Sequence, residues 1–277
     1  MSPDNGFLKP LDTIARQAGK AILDVYETDF DVELKGDDSP LTQADLAAHR
    51  IIVRGLQELT PDIPILSEES ADIPWGERRH WGVYWLVDPL DGTKEFIKKN
   101  GEFTVNIALV ENGVPITGVV HVPVSGVSYL GVSAINGETP GMGSVGGGAF
   151  KVSEDSQHEI RVKMPHQQPP RVVASRSHRG EAVEGYLASL GEHEVVSMGS
   201  SLKICLVAEG AADVYPRLGP TSEWDTAAAH AVLLAAGGEL VDATSGKPLV
   251  YNAKETLLNP WFIAYGDTSV DWQAHAG

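Results

Sequence analysis

Apolar side chains recur along the start of the chain at the three- and four-residue spacing of a helix. Phe7, Leu8, Leu11, Ile14, Ala15, Ala18, Ile22, Val25 and Tyr26 fall on one stripe, so residues 7–27 are expected to form an amphipathic helix. After the polar stretch Asp37-Asp38-Ser39-Pro40, Thr42 stands three residues before Asp45. That spacing resembles a capping box and predicts a second helix through Leu46, Ile51, Ile52, Leu56 and Leu59. The period then changes. Pro61 and Pro64 exclude a helix interior, so Ile63-Pro64-Ile65-Leu66-Ser67 is read as a short strand. Val83-Tyr84-Trp85-Leu86-Val87 is an unbroken apolar run, as expected of a strand buried on both faces. Strands are also predicted around 103–110, 114–122 and 127–132, separated by turns at Asn112-Gly113 and Ser125-Gly126. A Gly-rich loop at 143–148 leads into another hairpin that ends near residue 163.

The Pro-containing stretch from Met164 to Pro170 marks a boundary. It suggests an N-terminal α+β domain over 1–165 and a C-terminal α/β domain over 166–277. In the second part, strands at 172–175 and 194–198 alternate with helices at 180–190, 200–209 and 226–236, the last stopped by Gly237-Gly238. Layers of helix and sheet are the expected outcome, and no internal repeat interrupts them.

Composition narrows the function. With 42% apolar and 21% charged residues in 277, the sequence is that of a globular protein with a real core. Lys and Arg number 21 against 38 Asp and Glu, a net charge of −17 that disfavours nucleic acid polymers and anionic membranes as partners. A small anionic substrate stays compatible, because a bound divalent cation reverses the local field. The lone Cys205 excludes an internal disulfide and a Cys-based zinc site, and its apolar neighbours suit a buried, inert thiol. There is no signal-peptide pattern at Met1–Gly6 and no apolar run long enough to span a membrane, so a cytoplasmic protein is expected.

The segment Trp85-Leu86-Val87-Asp88-Pro89-Leu90-Asp91-Gly92-Thr93-Lys94-Glu95-Phe96 carries the chemistry. A buried strand is expected to end at Asp88, with Pro89 fixing the turn that follows. The turn can aim the Leu90 carbonyl outward and return Asp91 beside Asp88. Gly92 and Thr93 then begin a short helix whose free N–H groups attract anions. Two carboxylates and a carbonyl suit a hard cation such as Mg²⁺, which completes its shell with water and phosphate. A plain surface turn explains the same string equally well. Three other acidic sites tip the balance: Glu68-Glu69 just past a strand, Asp45 early in a helix, and Asp225 at the start of another.

Asp-Pro-Leu-Asp-Gly-Thr, the upstream Glu-Glu and the distal Trp224-Asp225-Thr226-Ala227-Ala228 together resemble the inositol monophosphatase superfamily of metal-dependent, lithium-sensitive phosphomonoesterases. The likeness spans most of the chain, in the expected order. It implies a layered α/β/α/β/α sandwich and two or three Mg²⁺ ions held by Glu68, Asp88, Asp91, Asp225 and the Leu90 carbonyl. It also implies that Asp45 and Thr93, with Glu68, position and activate the attacking water, that the Gly92 and Thr93 amides hold phosphate, and that Glu69 stands at most behind the ligands. Paired cations lower the pKa of water and neutralise a leaving oxygen, so no Ser or Cys nucleophile is required.

Lys94-Glu95-Phe96, Ser175-Arg176-Ser177-His178 and Gly199-Ser200-Ser201-Leu202-Lys203 resemble the 3′(2′),5′-bisphosphate nucleotidase branch. Its members remove the 3′-phosphate of adenosine 3′,5′-bisphosphate, a by-product of sulfate activation, and some act on the phosphosulfate form. A second phosphate needs donors away from the metals, for which Ser175, Arg176, His178, Ser200, Ser201 and Lys203 are the candidates. Glu223 is a candidate for a sugar hydroxyl or the adenine edge. Capping and ordinary loop polarity are the competing explanations for these residues. Trp224 is expected in the core and His121 in a strand, and Tyr215-Pro216-Arg217 is not assigned to the site. An inositol-1-phosphate phosphatase is the alternative activity; a non-catalytic metal- or nucleotide-sensing module is the alternative class.

Overall fold

A computed structural model describes residues 7–28, 40–133, 135–136, 144–145, 147–174 and 180–276. The first helix, α1 (Leu8–Tyr26), follows the predicted stripe and buries Leu8, Leu11, Ile14, Ala15, Ala18 and Ile22. Helix α2 (Pro40–Leu59) starts earlier than predicted. Proline is pre-organised for a first helical turn, so Thr42 lies inside the helix instead of capping it.

Strand β1 (Ile65–Ser67) leads through a 3₁₀ turn (Glu68–Ser70) and the short α3 (Trp75–Arg78) to β2 (Val83–Asp91). β2 does not stop at Asp88 as expected. It pairs with its neighbour as far as Asp91↔Thr104, with an irregularity between Asp88 and Asp91 that absorbs Pro89. Next come α4 (Thr93–Ile97), β3 (Thr104–Glu111), β4 (Val114–Val122), β5 (Val127–Val132), the small pair β6 (Ile135–Asn136) and β7 (Ser144–Val145), β8 (Gly148–Val152) and β9 (Gln157–Ile160). Seven strands form one sheet in the order β1-β2-β3-β4-β5-β8-β9, parallel only between β1 and β2.

Past the Pro-containing stretch lie β10 (Arg171–Ala174), α5 (Glu181–Leu190), β11 (Glu194–Ser197), α6 (Leu202–Ala208), β12 (Val214–Arg217), α7 (Ala227–Ala235), β13 (Glu239–Asp242) and β14 (Phe262–Tyr265). They build a five-stranded sheet in the order β11-β10-β12-β14-β13. Three of its strands, β12, β13 and β14, were not predicted. Each is four residues long, as are the predicted β10 and β11, and no alternation marks it off from its surroundings.

Three apolar clusters set the layers. One joins α1 and α2 to one face of the large sheet through Leu11, Ile52, Trp85, Val87 and Ile107. A second fills the space between the two sheets with α6 and α7, from Leu86 and Val120 through Val207 and Val232 to Leu240 and Ala264. The third packs α5 and Trp272 on the outer face of the small sheet. The result is the expected helix–sheet–helix–sheet–helix sandwich. Close approach of α7 depends on small residues: Ala227, Ala228, Ala229 and Ala231 are buried, and a Cβ on Gly118 would collide with the Ala228 carbonyl oxygen. Cys205 lies fully buried in α6, where burial pushes its thiol pKa well up, as suits an inert residue.

Candidate active site

Four segments converge at the carboxyl end of β2. Its irregular terminus carries Asp88 and Asp91, and the Leu90 N–H donates to Asp88 Oδ1 at 3.0 Å, which shapes the turn. The 3₁₀ turn after β1 brings Glu68 and Glu69, and the second turn of α2 brings Asp45. A 3₁₀ turn over Glu223–Asp225 brings Asp225 from the other side. That turn has its own capping box, in which the Ser222 N–H donates to Asp225 Oδ2 at 2.9 Å. Asp225 therefore caps its own turn and also faces the other acids.

Burial and mutual repulsion raise the carboxyls of Asp45, Glu68, Asp88 and Asp225. Asp88 is 1% exposed, and its pKa is pushed well above the ordinary range by burial and then by Asp91, Glu68, Asp225 and Asp45. Asp45 rises to about 8 through burial and the nearby Glu69 and Glu68, and Asp225 rises to about 7 through burial and Asp91. Glu68 is raised by loss of water, opposed by a hydrogen bond shared with Asp88. Asp45 also hydrogen-bonds Glu69. Among the described residues, Asp45 Oδ1 is buried without a hydrogen-bond partner.

Carboxylates crowded together with so few donors are costly to keep ionised, and a hard cation removes that cost. The all-oxygen donor set fits Mg²⁺-type ions, although among the described residues no three acidic, His or Cys side chains are gathered into a ready coordination shell. Thr93, the first residue of α4, is exposed, and α4 packs against α2, the helix of Asp45. Gly92 precedes it at φ +94°, a left-handed conformation that favours glycine.

A cleft opens beside the acids. Asp91, Gly92, Asp225, Ser200, Lys203 and Arg217 all line it. Lys203 is 9% exposed, and burial lowers its amine pKa against the pull of Asp91. Arg217 was not predicted to belong to the site. Its Nη2 donates to the Pro220 carbonyl at 2.8 Å, while its Nε is buried with no partner among the described residues. Only the unpredicted strand β12 points to it.

Glu223 does not reach this cleft. Its Oε2 accepts from the Asn252 N–H at 2.8 Å, and burial raises its carboxyl to about 7 near Arg78. The carboxylate answers a buried main-chain donor and an arginine, so it braces the 250–255 loop instead of meeting a sugar or base. Ser175, Arg176 and His178 lie outside the described residues. Trp224 packs on the central core, and His121 is a buried strand residue whose Nδ1 is 2.9 Å from Ser128 Oγ, both as expected.

A five-layer sandwich with acids converging on a cleft that also holds Lys203 and Arg217 is the arrangement of a metal-dependent phosphatase. The chain belongs to the inositol monophosphatase family, whose profile matches residues 7–273. It is 54% identical over 251 residues to the 3′(2′),5′-bisphosphate nucleotidase CysQ of Escherichia coli, covering 90% of this chain and 95% of the relative. The CysQ of Salmonella typhimurium is 51% identical over 257 residues, with 92% and 98% covered. Among solved structures, CysQ from Bacteroides thetaiotaomicron superposes with a TM-score of 0.82 at 45% identity, covering 95% of this chain and 98% of that one. Among the described residues, no helix is long and apolar enough to cross a membrane.

Proposed function

We propose that the chain is a Mg²⁺-dependent 3′(2′),5′-bisphosphate nucleotidase that removes the 3′-phosphate of adenosine 3′,5′-bisphosphate, with the phosphosulfate form as a further candidate substrate. The observation that carries this reading is the single cleft that joins the acid cluster to Lys203 and Arg217. A substrate with two separated phosphates needs both ends, one beside the cations and one beside fixed positive charge.

On this reading Glu68, Asp88, Asp91, Asp225 and the Leu90 carbonyl hold two or three Mg²⁺ ions. When bound, the ions supply charge neutralisation for the leaving oxygen and a lowered pKa for water. Asp45 and Thr93 orient the attacking water, and the Gly92 and Thr93 N–H groups hold the phosphoryl oxygens. Ser200, Lys203 and Arg217 hold the second phosphate, with Ser175, Arg176 and His178 assigned to the same end. Residues 1–165 thus bring most cation ligands, and residues 166–277 bring Asp225 and the nucleotide side. A reducing compartment such as the cytoplasm suits the lone buried Cys205.

The test is phosphate release after EDTA treatment, titrating Mg²⁺ back with adenosine 3′,5′-bisphosphate or inositol 1-phosphate as substrate. Turnover that requires Mg²⁺, with a larger kcat/KM for the nucleotide, is expected. A larger kcat/KM for inositol 1-phosphate would replace this reading with the inositol phosphatase one. Nucleotide binding without hydrolysis would make the protein a sensing module.

A further inference from the structure

Ser201, the residue before α6, makes contacts that a substrate donor would not need. Its N–H donates to Asp91 Oδ2 at 2.6 Å. Its Oγ lies 2.7 Å from that same oxygen and 2.7 Å from the Asp225 carbonyl oxygen. Asn106 Nδ2 donates to this Oγ at 2.8 Å. Both residues are buried, Ser201 at 3% exposure and Asn106 at 1%. One small side chain therefore touches two of the three segments that carry candidate cation ligands, Asp91 at the end of the large sheet and Asp225 from the second half of the chain. Asn106 stands opposite Asp88 in the β2–β3 ladder, so the anchor rises from the strand next to the cluster.

The local backbone is shaped to make this contact. Ser200 sits at φ +42°, a sparsely populated conformation for a residue with a side chain, which persists only where its surroundings hold it. Gly92 permits it, because a Cβ there would come within 3.2 Å of Ser200 Cβ. A hydroxyl has one proton and two lone pairs. With the Asn106 N–H on one lone pair, the single proton serves either Asp91 or the Asp225 carbonyl, and none is left for a substrate phosphate. Among the described residues, Asn106 Oδ1 has no partner, so its amide is held from the Nδ2 side.

We propose that Ser201 is a positioning residue. Anchored by Asn106, its hydroxyl sets the Asp91 carboxylate against the Asp225 turn, so that the two halves of the chain present their cation ligands in register. The inference rests on the metal-ligand reading given above, and it removes Ser201 from the candidate donors to the second phosphate.

The test uses the full-length, EDTA-stripped protein, titrated with Mg²⁺ by calorimetry and assayed with adenosine 3′,5′-bisphosphate. Ser201→Ala is expected to weaken Mg²⁺ binding about tenfold, the worth of one charge-assisted hydrogen bond. The KM for the nucleotide at saturating Mg²⁺ should stay within about twofold, because Lys203 and Arg217 are untouched, and Ser201→Thr should restore most of the affinity. Unchanged Mg²⁺ affinity, or a rise in nucleotide KM at saturating Mg²⁺ without loss of Mg²⁺ binding, overturns the proposal. If Ser201→Ala does not fold, Asn106→Ala decides: a similar loss of Mg²⁺ affinity supports the proposal and an unaltered affinity overturns it. A wild-type protein that neither binds Mg²⁺ nor releases phosphate overturns the nucleotidase reading and this inference together. An active wild type with an unaffected Ser201→Ala overturns the inference alone.

Discussion

Asp213 and Asp267 are as deeply buried as Asp88, at 1% exposure each, yet their surroundings are opposite. Asp213 accepts from the Arg171 N–H at 2.7 Å, from Arg171 Nε and Nη2 at 3.2 Å, and from the Gln167 N–H at 3.2 Å. Asp267 accepts from the Ser269 hydroxyl at 2.6 Å and from the His166 N–H and ring at 2.9 Å; these donors hold its carboxyl below the ordinary range. Together the two aspartates staple the 166–171 stretch to the small sheet. Asp88, in contrast, accepts the Leu90 N–H and otherwise faces carboxyls. Buried acids with donors hold a fold together, whereas buried acids without them weaken it until a cation arrives.

Asp88→Asn should sharpen this contrast most. It should lower kcat/KM by more than about 3 kcal/mol of transition-state stabilisation while raising the melting temperature of the metal-free protein. Steady-state kinetics and calorimetry on one preparation check both, and a fully active or less stable variant would break the comparison. Asp213→Ala should do the reverse. It strands Arg171 and two main-chain donors, so unfolding titrations should show a loss of roughly 3–5 kcal/mol, with kcat per folded molecule unchanged. Lys203→Met probes the cationic side of the cleft. It should raise the KM for the bisphosphate about tenfold or more and leave inositol 1-phosphate kinetics nearly untouched, which a substrate panel would show.

The smallest expected effect lies in the pH dependence of the metal-free protein. Asp45 and Asp225 titrate in the folded state at about 8 and about 7, above their ordinary 3.8. Their contribution is present below that ordinary value and is lost as pH rises through 7 to 8. His121 and His230 run the other way: burial lowers them to about 4 and about 3, so their contribution is lost only as pH falls below 6.5. Between pH 6.5 and 8 the acids act alone. Melting temperature should fall across that window in EDTA, and saturating Mg²⁺ should shrink the slope to the part that Glu223, outside the cluster and raised to about 7, contributes. A flat EDTA profile would mean that the acids do not repel one another.

Much of this was legible in the chain. The stripe from Leu8 to Tyr26 gave α1, and the apolar run ending at Val87 gave the central buried strand, because period and burial are local properties of a sequence. Asp88, Asp91 and Glu68 stood out only in combination with Asp45, Asp225 and the family resemblance they carry together, since each string alone reads as an ordinary turn or a solvated pair. Tyr215-Pro216-Arg217 was weighed as a border of the pocket and left unassigned, because nothing local separates a cleft residue from an ordinary strand residue there. Glu223 was misplaced because its partner, Asn252, is distant in sequence and donates through its main chain.

Taken alone, the sequence settled the helices and strands of the first half and the helices of the second, the charge and the set of acids able to serve a hard cation, since each follows from residue type and spacing within one segment. Only the tertiary structure decided that Asp45, Glu68, Asp88, Asp91 and Asp225 lie close together, that Arg217 joins Lys203 in one cleft, and that Ser201 bridges the Asp91 and Asp225 turns. Those facts depend on contacts between segments up to 180 residues apart. Such contacts are made when two sheets close on α6 and α7, and no local pattern encodes them.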